Sequence, residues 1–392
     1  MISPGGIGYD INCGIRLLTT DINKNDIKNY IKKISSEIYN AVPSGVGKSG
    51  LIKLSIKELD HVLDDGCKWA EKEGYTRLND TEFIESRGYL KTADSSKVSN
   101  EAKERGRDQL GTMGAGNHFI EIDFVEKVFD DDDAKTYNLS EGQIVLLIHT
   151  GSRGLGHQVA TDYIRLMTRT LKKYEIDLPD IELACAPFNS DEGKSYFSAM
   201  SAAANFAWVN RQIITFQIRN SWEKVFGKNS KVNILYDVAH NIAKIEKHRI
   251  NEEEKEVIVH RKGATRAFPP NHPEIPIKYK KVGQPVLIPG SMGTKSYVLA
   301  GQEASMRESF GSACHGAGRL LSRTAAKKNI PLESLLNELA DHGILIQTGS
   351  MKGVTEEAPQ AYKNVEQVVD VVCRANIAKR IARLKPLAVI KG

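Results

Sequence analysis

Asp10 and Cys13 lie three residues apart in the glycine-flanked stretch GGIGYDINCG, so a carboxylate oxygen and a thiolate sulfur can face one point. A thiolate can also bridge two cations. His118, His149 and His240 stand at the ends of separate apolar stretches and add three imidazoles. Oxygen, sulfur and nitrogen donors together suit a borderline divalent ion such as Mn2+ or Zn2+. Taken singly, each histidine is equally at home as a hydrogen-bonded structural residue, and a free cysteine is usually a small buried hydrophobe. Spacing alone leaves both readings open.

A second group of residues suits anions. TGSRG (150–154), HRKGATR (260–266), PGSMGT (289–294) and HGAGR (315–319) combine glycine with Arg, Lys, Ser or Thr. Glycine lets the backbone approach an oxyanion and turn its N–H groups toward it. Arg153, Arg261, Lys262, Arg266 and Arg319 can then neutralise the charge, each arginine in bidentate fashion. Surface turns are the competing reading for any one loop; four in one chain suggest a polyphosphate or a nucleic-acid backbone. SGVGKSG (44–50) is a decoy. Counting back from Gly47, a phosphate-loop glycine would fall at Val42, and residues 26–40 before it read as helix rather than strand.

His315 differs from the other histidines. It follows Cys314, precedes Gly-Ala-Gly, and opens a segment with Leu320, Leu321 and Ala325 at helical spacing. At a helix N-terminus it would meet an incoming phosphate beside backbone donors. An imidazole nitrogen can attack phosphorus when nearby cations compensate the charge. Local sequence equally allows a metal ligand or a core residue.

These groups need strands and helices to hold them. Ile144–Ile148, Val232–Val238 and Val257–Val259 read as buried strands running into a histidine or a glycine-bearing loop. From His118 to Val125, alternation puts His118, Ile120, Ile122 and Phe124 on one face and Phe119, Glu121, Asp123 and Val125 on the other. Residues 26–40, 57–73, 158–174 and 364–384 read as helices with core-facing stripes, and Tyr196–Phe226 as one long helix or a broken pair. Asp130–Asp133 and Asn251–Glu256 read as solvated loops. No repeat, low-complexity segment or composition shift divides the chain.

At 392 residues, with 41% hydrophobic and 26% charged side chains, the chain can bury a large core. No apolar run reaches the roughly 18 residues of a membrane span, and no signal-like segment opens it. Cys13, Cys67, Cys185, Cys314 and Cys373 form an odd, scattered set that fits a reducing compartment, so the expected location is cytoplasmic. The net charge of +5 permits nucleic-acid binding without showing it.

Longer blocks carry a resemblance. PGGIGYDINCG (4–14), QLGTMGAGNHFIE (109–121), HTGSRGLGHQV (149–159) and YDVAHNIAKIE (236–246) begin it. HRKGATRAFPP (260–270), PGSMGTKSYVLAG (289–301), CHGAGRLLSR (314–323), EEAPQAYK (356–363) and VIKG (389–392) complete it. From end to end the chain resembles the RtcB RNA-splicing ligases.

That resemblance implies one α+β domain over residues 1–392, with mixed or antiparallel sheets around a deep central metal and nucleotide site. It implies two Mn2+ ions on Asp10, Cys13, His118, His149 and His240, with Cys13 bridging. GTP would be the cofactor and His315 the residue that takes up GMP. Guanine would be held by Glu121, Ser296, Tyr362 and Lys391, while Asn117, Asn241, Ser291, Ala317 and Arg319 would line the phosphate and metal region. The expected activity joins RNA 3′-phosphate or 2′,3′-cyclic phosphate ends to 5′-hydroxyl ends, in tRNA splicing or RNA repair. A small activating protein, archease, is a possible partner. The alternatives are an enzyme that guanylylates or processes RNA 3′ ends without efficient joining, and an inactive RNA-binding relative. Family members ordinarily carry a longer segment before the first block. The corresponding expectation is that Asp10 and Cys13 lie near a fraying terminus, and that a longer version would be more stable and more active.

Overall fold

Runs such as IVLLI and ILYDVA are too apolar to leave a face in water, and the computed structural model covers both faces of the strands they form. It describes residues 1–392, the side chain at position 352 excepted. In chain order the strands are β1 (Gly14–Asn23), β2 (Phe119–Val128), β3 (Gln143–Thr150), β4 (Val232–Ala239), β5 (Asn241–Ile250) and β6 (Glu253–Lys262). There follow β7 (Ala264–Arg266), β8 (Pro285–Ile288), β9 (Ser296–Gly301), β10 (Ser312–Cys314), β11 (Leu345–Thr348) and β12 (Ala378–Lys391). The main sheet runs β4-β1-β3-β2-β12-β9-β8, antiparallel throughout, with β11 added parallel to the end of β12. It curls until β8, at one end, packs against β1 and β4 at the other. The architecture is α+β, as the resemblance implies.

Alternation within the strands sorts residues between two cores. Ile120, Ile122, Ile144, Leu146 and Ile148 face the helices. Phe119, Val125, Val145 and Leu147 face inward with Leu235 of β4 and Leu287 of β8, so strands from both ends of the sheet share one cluster. Each fully buried side chain of this kind contributes roughly 1.5–3 kcal/mol. The helix Asp191–Phe226 is unbroken over 36 residues, about 54 Å at 1.5 Å per residue. Ser190 caps it by accepting from Gly193 N, and Gly227 at φ +90° ends it.

Its polar residues face inward and are the means by which it holds the sheet. All five donors of Arg211 are used: Nε and Nη2 donate to Asp237 of β4 at 2.8 Å each, and Nη1 to the carbonyls of Asn12 and Thr150 at 2.9 and 2.8 Å. The second Nη2 bond goes to Asn12 Oδ1 at 3.0 Å. Arg16 of β1 adds a 2.7 Å bond from Nε to Asp237, and all three charged groups are fully buried. Gly14 is required beside them, because a Cβ there would lie 2.5 Å from Val238 O and 3.0 Å from Arg211 Nη2.

Several expectations are corrected. Residues 364–384 are not one helix: Val365–Arg374 is helical, Asn376 turns left-handed at φ +53°, and β12 begins at Ala378 because β2 and β9 pair with it from either side. Residues 26–40 break after Ile27 and resume as Ile31–Ala41, and 57–73 break at Gly66, whose φ is +54°. Helix Arg153–Thr170 passes into a 3-10 turn at Lys172–Tyr174. Asp130 is no loop residue but an N-cap, accepting from Asp133 N at 3.1 Å ahead of helix Asp131–Thr136. Asn251 and Glu252, both left-handed, form the tight turn of the β5–β6 hairpin, and Glu253 onward is strand. Among the described residues no helix is long and apolar enough to cross a membrane.

The buried ion pairs set two expectations. Asp237→Asn keeps shape but leaves Arg16 and Arg211 without their counter-charge, so denaturant unfolding should show a loss of roughly 3–5 kcal/mol; a change below 1 kcal/mol would contradict it. Burial pushes the Glu246 carboxyl up, but hydrogen bonds from His248 and Arg261 outweigh it and hold the group down to about 2. A depressed carboxylate contributes stability above its unfolded range that is lost as pH falls. Stability should therefore decline between about pH 4.5 and about 2, by on the order of 3 kcal/mol from this group. Glu246→Gln should remove that part of the slope in urea midpoints measured across the interval.

Candidate metal and nucleotide site

Antiparallel pairing makes neighbouring strands end and begin along the same sheet edge. Gly14 opens β1 opposite Ala239, the last residue of β4, and Thr150, the last of β3. Phe119 opens β2 opposite His149, and Lys391 closes β12 opposite Phe119. The residues at or next to these ends therefore form a row: His240, Cys13, His149, His118, Lys391.

Within that row the donor atoms converge. Cys13 Sγ lies 3.3 Å from both His118 Nε2 and His149 Nε2, and His149 Nε2 lies 3.3 Å from His240 Nε2. Asp10 Oδ2 is 2.8 Å from His118 Nε2. Two triads result, Asp10–Cys13–His118 and Cys13–His149–His240, with the donor atoms of each within 4.8 Å of one another and Cys13 common to both. Burial, then the neighbouring imidazoles, pushes His149 and His240 well below the usual histidine range. Burial, then Asp10, pushes the Cys13 thiol well up. Neutral imidazole lone pairs packed this closely, with a thiol that cannot ionise unaided, fit two divalent cations sharing a thiolate.

Backbone geometry sets the turn. Asn12 is left-handed at φ +50°, Cys13 N donates to Asp10 O at 3.0 Å, and His240 N donates to Cys13 O at 2.9 Å. Two glycines make room: a Cβ on Gly114 would lie 2.1 Å from His118 Nδ1, and one on Gly151 2.4 Å from Asp10 Oδ1. The segment before β1 is tied down, since Ile2 and Ala186 exchange backbone bonds and Ile2, Ile7 and Ile11 are fully buried.

His315 arrives from a different sheet. His240 alone separates β4 from β5 and Gly263 alone separates β6 from β7, so the base of the β5–β6 hairpin brings them together, with Gly263 N donating to His240 O at 3.0 Å. β10 pairs with β7, placing Cys314 opposite Ala264. His315 follows, its ring 4.8 Å from that of His240. Its Nδ1 is 2.6 Å from Gly263 O, and a carbonyl only accepts, so Nδ1 carries the proton and Nε2 keeps its lone pair. Burial lowers the affinity of this ring for a second proton, with the Gly263 bond opposing. The expected helix N-terminus is absent here. Gly318 is left-handed at φ +75°, and the next helix starts only at Arg323, capped by Ser322.

Beside His315 opens a cavity of about 260 Å³. Asn117, Ser291, Ala317, Arg319, Tyr362 and Lys391 line it, together with His149 and His315. Glu121, Ser296 and Asn241 do not reach its wall. Glu121 lies inward on β2 with both oxygens unpartnered; burial pushes its carboxyl well up, Asp123 adds to this, and Lys391 opposes. Ser296 accepts from Gly290 N at 2.9 Å, shaping the 289–294 loop. Asn241 bridges Asp10 O at 3.1 Å and Gly263 N at 3.1 Å, tying the metal turn to the His315 support. Lys391 donates to Gly116 O at 2.7 Å, and burial lowers it to about 8 despite Glu357 and Glu121.

The anion candidates divide. Arg261 is buried on Glu246 at 2.6 and 2.8 Å, and Arg266 is buried with Nη1 on Glu274 at 2.6 Å and Nε on Gln284 at 3.0 Å, so both are held by carboxylates of the protein away from the cavity. Lys262 reaches Gly5 O at 2.9 Å. Arg319 faces the cavity but is braced by Glu357 at 2.9 Å and Tyr362 OH at 2.8 Å. Arg153 contacts Thr112 Oγ1 and Gly45 O near Asp10. Sequence reasoning missed Asn12, Arg211, Asp237 and Glu357. For Arg211 and Asp237 a signal existed, a charge inside an otherwise apolar run.

If each triad holds one cation, protein dialysed against Mn2+ should carry two ions by elemental analysis and melt higher than after chelation. His118→Ala and His240→Ala should each cost about one ion, and Cys13→Ala both. Loss of a single ion from Cys13→Ala would break the bridging assignment.

A family model described as tRNA-splicing ligase RtcB matches residues 1–392. The chain is 54% identical over 395 residues to a tRNA-splicing ligase RtcB of Thermococcus kodakarensis, spanning 100% of this chain and 82% of that one. An Aeropyrum pernix tRNA-splicing ligase RtcB is 53% identical over 395 residues with the same shares, 100% and 82%. With a Pyrococcus abyssi tRNA-splicing ligase RtcB the identity is 53% over 384 residues, spanning 97% of this chain and 42% of that one. With a family match along its whole length and more than half its residues shared with such relatives, this chain belongs to the tRNA-splicing ligase RtcB family.

Proposed function

We propose that this chain is a GTP-dependent RNA ligase acting through a covalent GMP–His315 intermediate. The observation that carries the reading is the His315 imidazole: its Nδ1–H is given to Gly263 O, and it borders a cavity beside the paired donor triads. Family membership and the name of the relatives, tRNA-splicing ligase, support RNA as the substrate.

In this reading Nε2 of His315 attacks the α-phosphorus of GTP. The α–β bridging bond breaks and pyrophosphate leaves. The proton stays on Nδ1, so the phosphorylated ring is cationic and Gly263 O stabilises it. An oxygen of the RNA 3′-phosphate then attacks the same phosphorus, the P–N bond breaks, and its electron pair returns to Nε2. The 5′-hydroxyl of the second RNA attacks the activated 3′-phosphorus, GMP departs and the hydroxyl proton passes to water. A 2′,3′-cyclic phosphate is first opened by water to the 3′-phosphate.

Two Mn2+ ions on Asp10, Cys13, His118, His149 and His240, when bound, supply the positive charge that a phosphoryl group in line with its leaving group requires. Asn117, Ser291, Ala317 and Arg319 border the phosphate path, and Asn241 holds the metal turn against Gly263. Guanine would be held by Glu121, Ser296, Tyr362 and Lys391: Tyr362 and Lys391 line the cavity, the Glu121 carboxyl behind it has no hydrogen-bond partner among the described residues, and Ser296 shapes the 289–294 loop. Five free thiols fit a reducing, cytoplasmic setting.

The test is incubation with Mn2+ and α-labelled GTP. An acid-labile label should appear on wild-type protein and fall to background in His315→Ala. No label on folded, metal-loaded protein would overturn the reading. A label without joining of 3′-phosphate and 5′-hydroxyl RNAs would reassign the chain as a 3′-end guanylylating enzyme.

A further inference from the structure

Tyr9 is an odd residue to leave in water. It sits between Ile7 and Ile11, both fully buried, yet the residue itself is 45% exposed. The loop that presents it is immobilised: a Cβ on Gly5 would lie 1.7 Å from Glu182 O, and Lys262 Nζ holds Gly5 O at 2.9 Å. The ring stacks on exposed His157, with centroids 4.9 Å apart and planes 25° from parallel. Asp10 follows directly, so this aromatic pair stands one peptide from a candidate metal ligand.

His157 belongs to a row. In helix Arg153–Thr170 the i+4 ridge reads Arg153, His157, Thr161, Arg165, Arg169. Arg153 lies by Asp10, while Arg165 and Arg169 are exposed and have no ion-pair partner among the described residues. The acidic Asp162 beside the ridge already accepts from Ser99 and Gln158. At 1.5 Å per residue the ridge carries positive charge about 24 Å away from the metal turn. Stacking platforms joined to a cationic track are how proteins grip single-stranded nucleic acid without reading its sequence.

We propose that the Tyr9–His157 pair stacks the terminal base of a single-stranded RNA end, and that Arg165 and Arg169 hold its following phosphates as it enters the metal centre. This rests on the RNA-ligase reading above. Either RNA end offers the same chemistry, a base with a phosphate track behind it, so the experiment uses both.

Fluorescence anisotropy of the metal-loaded protein would follow two ten-nucleotide RNAs, one with a 5′-hydroxyl and one with a 3′-phosphate, each labelled at its far end. Tyr9→Ala should weaken one of them about tenfold or more, while Tyr9→Trp keeps wild-type affinity. The double variant Arg165→Ala, Arg169→Ala changes only exposed side chains and should reduce the slope of log K against log salt by about 1.4, roughly 0.7 per lost phosphate contact. His315 labelling by GTP, which needs no RNA, is measured alongside. Wild-type affinity for both RNAs in Tyr9→Ala, or an unchanged salt slope in the double variant, would overturn the proposal and leave this face to a protein partner. If Tyr9→Ala loses the label, Tyr9→Leu replaces it under the same criteria. Absence of label from the wild-type protein, with Tyr9-dependent RNA binding intact, would instead sink the ligase reading and keep the RNA site.

Discussion

Every donor on the Arg211 guanidinium is spoken for, and the centre of the molecule is arranged around that fact. Asp237 fixes it to β4, Thr150 O to the end of β3, and Asn12 to the turn that holds Asp10 and Cys13. Burying a cation away from solvent is costly unless it is paired and hydrogen-bonded, and Arg211 meets both conditions in full. The requirement acts in reverse on the backbone: the turn must present two oxygens from Asn12 to one planar group, and the left-handed Asn12 conformation is how it does so. The turn that carries Asp10 and Cys13 is thereby held by a helix through its bonds to Asn12.

Antiparallel pairing does the rest. Because alternate strands reverse, starts and ends fall on one edge, and five chain segments far apart in sequence deliver His240, Cys13, His149, His118 and Lys391 side by side. The hairpin β5–β6 adds a second constraint. Its base is closed by the bond from Gly263 N to His240 O, and the Gly263 carbonyl accepts from the His315 ring. His240 and His315 are thus coupled through one pair of backbone corners rather than through side-chain contacts alone.

Glu121 and Asp123 stand apart from this economy. They project from β2 into the apolar interior with all four oxygens unpartnered, and burial pushes both upward, Asp123 to about 8. Buried carboxyls without partners are costly, and among the described residues the protein supplies no donor to either of these two. Lys391, lowered by burial to about 8, lines the cavity on the strand next to β2, and Glu121 is one of the charges acting on it.

Much of this was legible in residue patterns. Period-two alternation correctly divided His118–Val125 between two faces, and apolar spacing marked Tyr196–Phe226 as one long helix or a broken pair, which the structure makes a single helix starting at Asp191. The metal-type residues stood out by chemistry, and the family by whole blocks of sequence. Sequence could not separate Arg261 and Arg266, which are sealed against Glu246 and Glu274, from Arg319, which faces the cavity, since the loops that carry them look alike. Nor could it see that residues 378–391 would be strand, a choice made by β2 and β9 on either side. By itself the sequence determined which atoms were available for chemistry and which segments were strand or helix where periodicity was strong. The family resemblance already implied a bridging Cys13, but only the tertiary structure brought its sulfur to both triads and gave His315 Nδ1 to a carbonyl, because each depends on contacts between residues more than fifty positions apart.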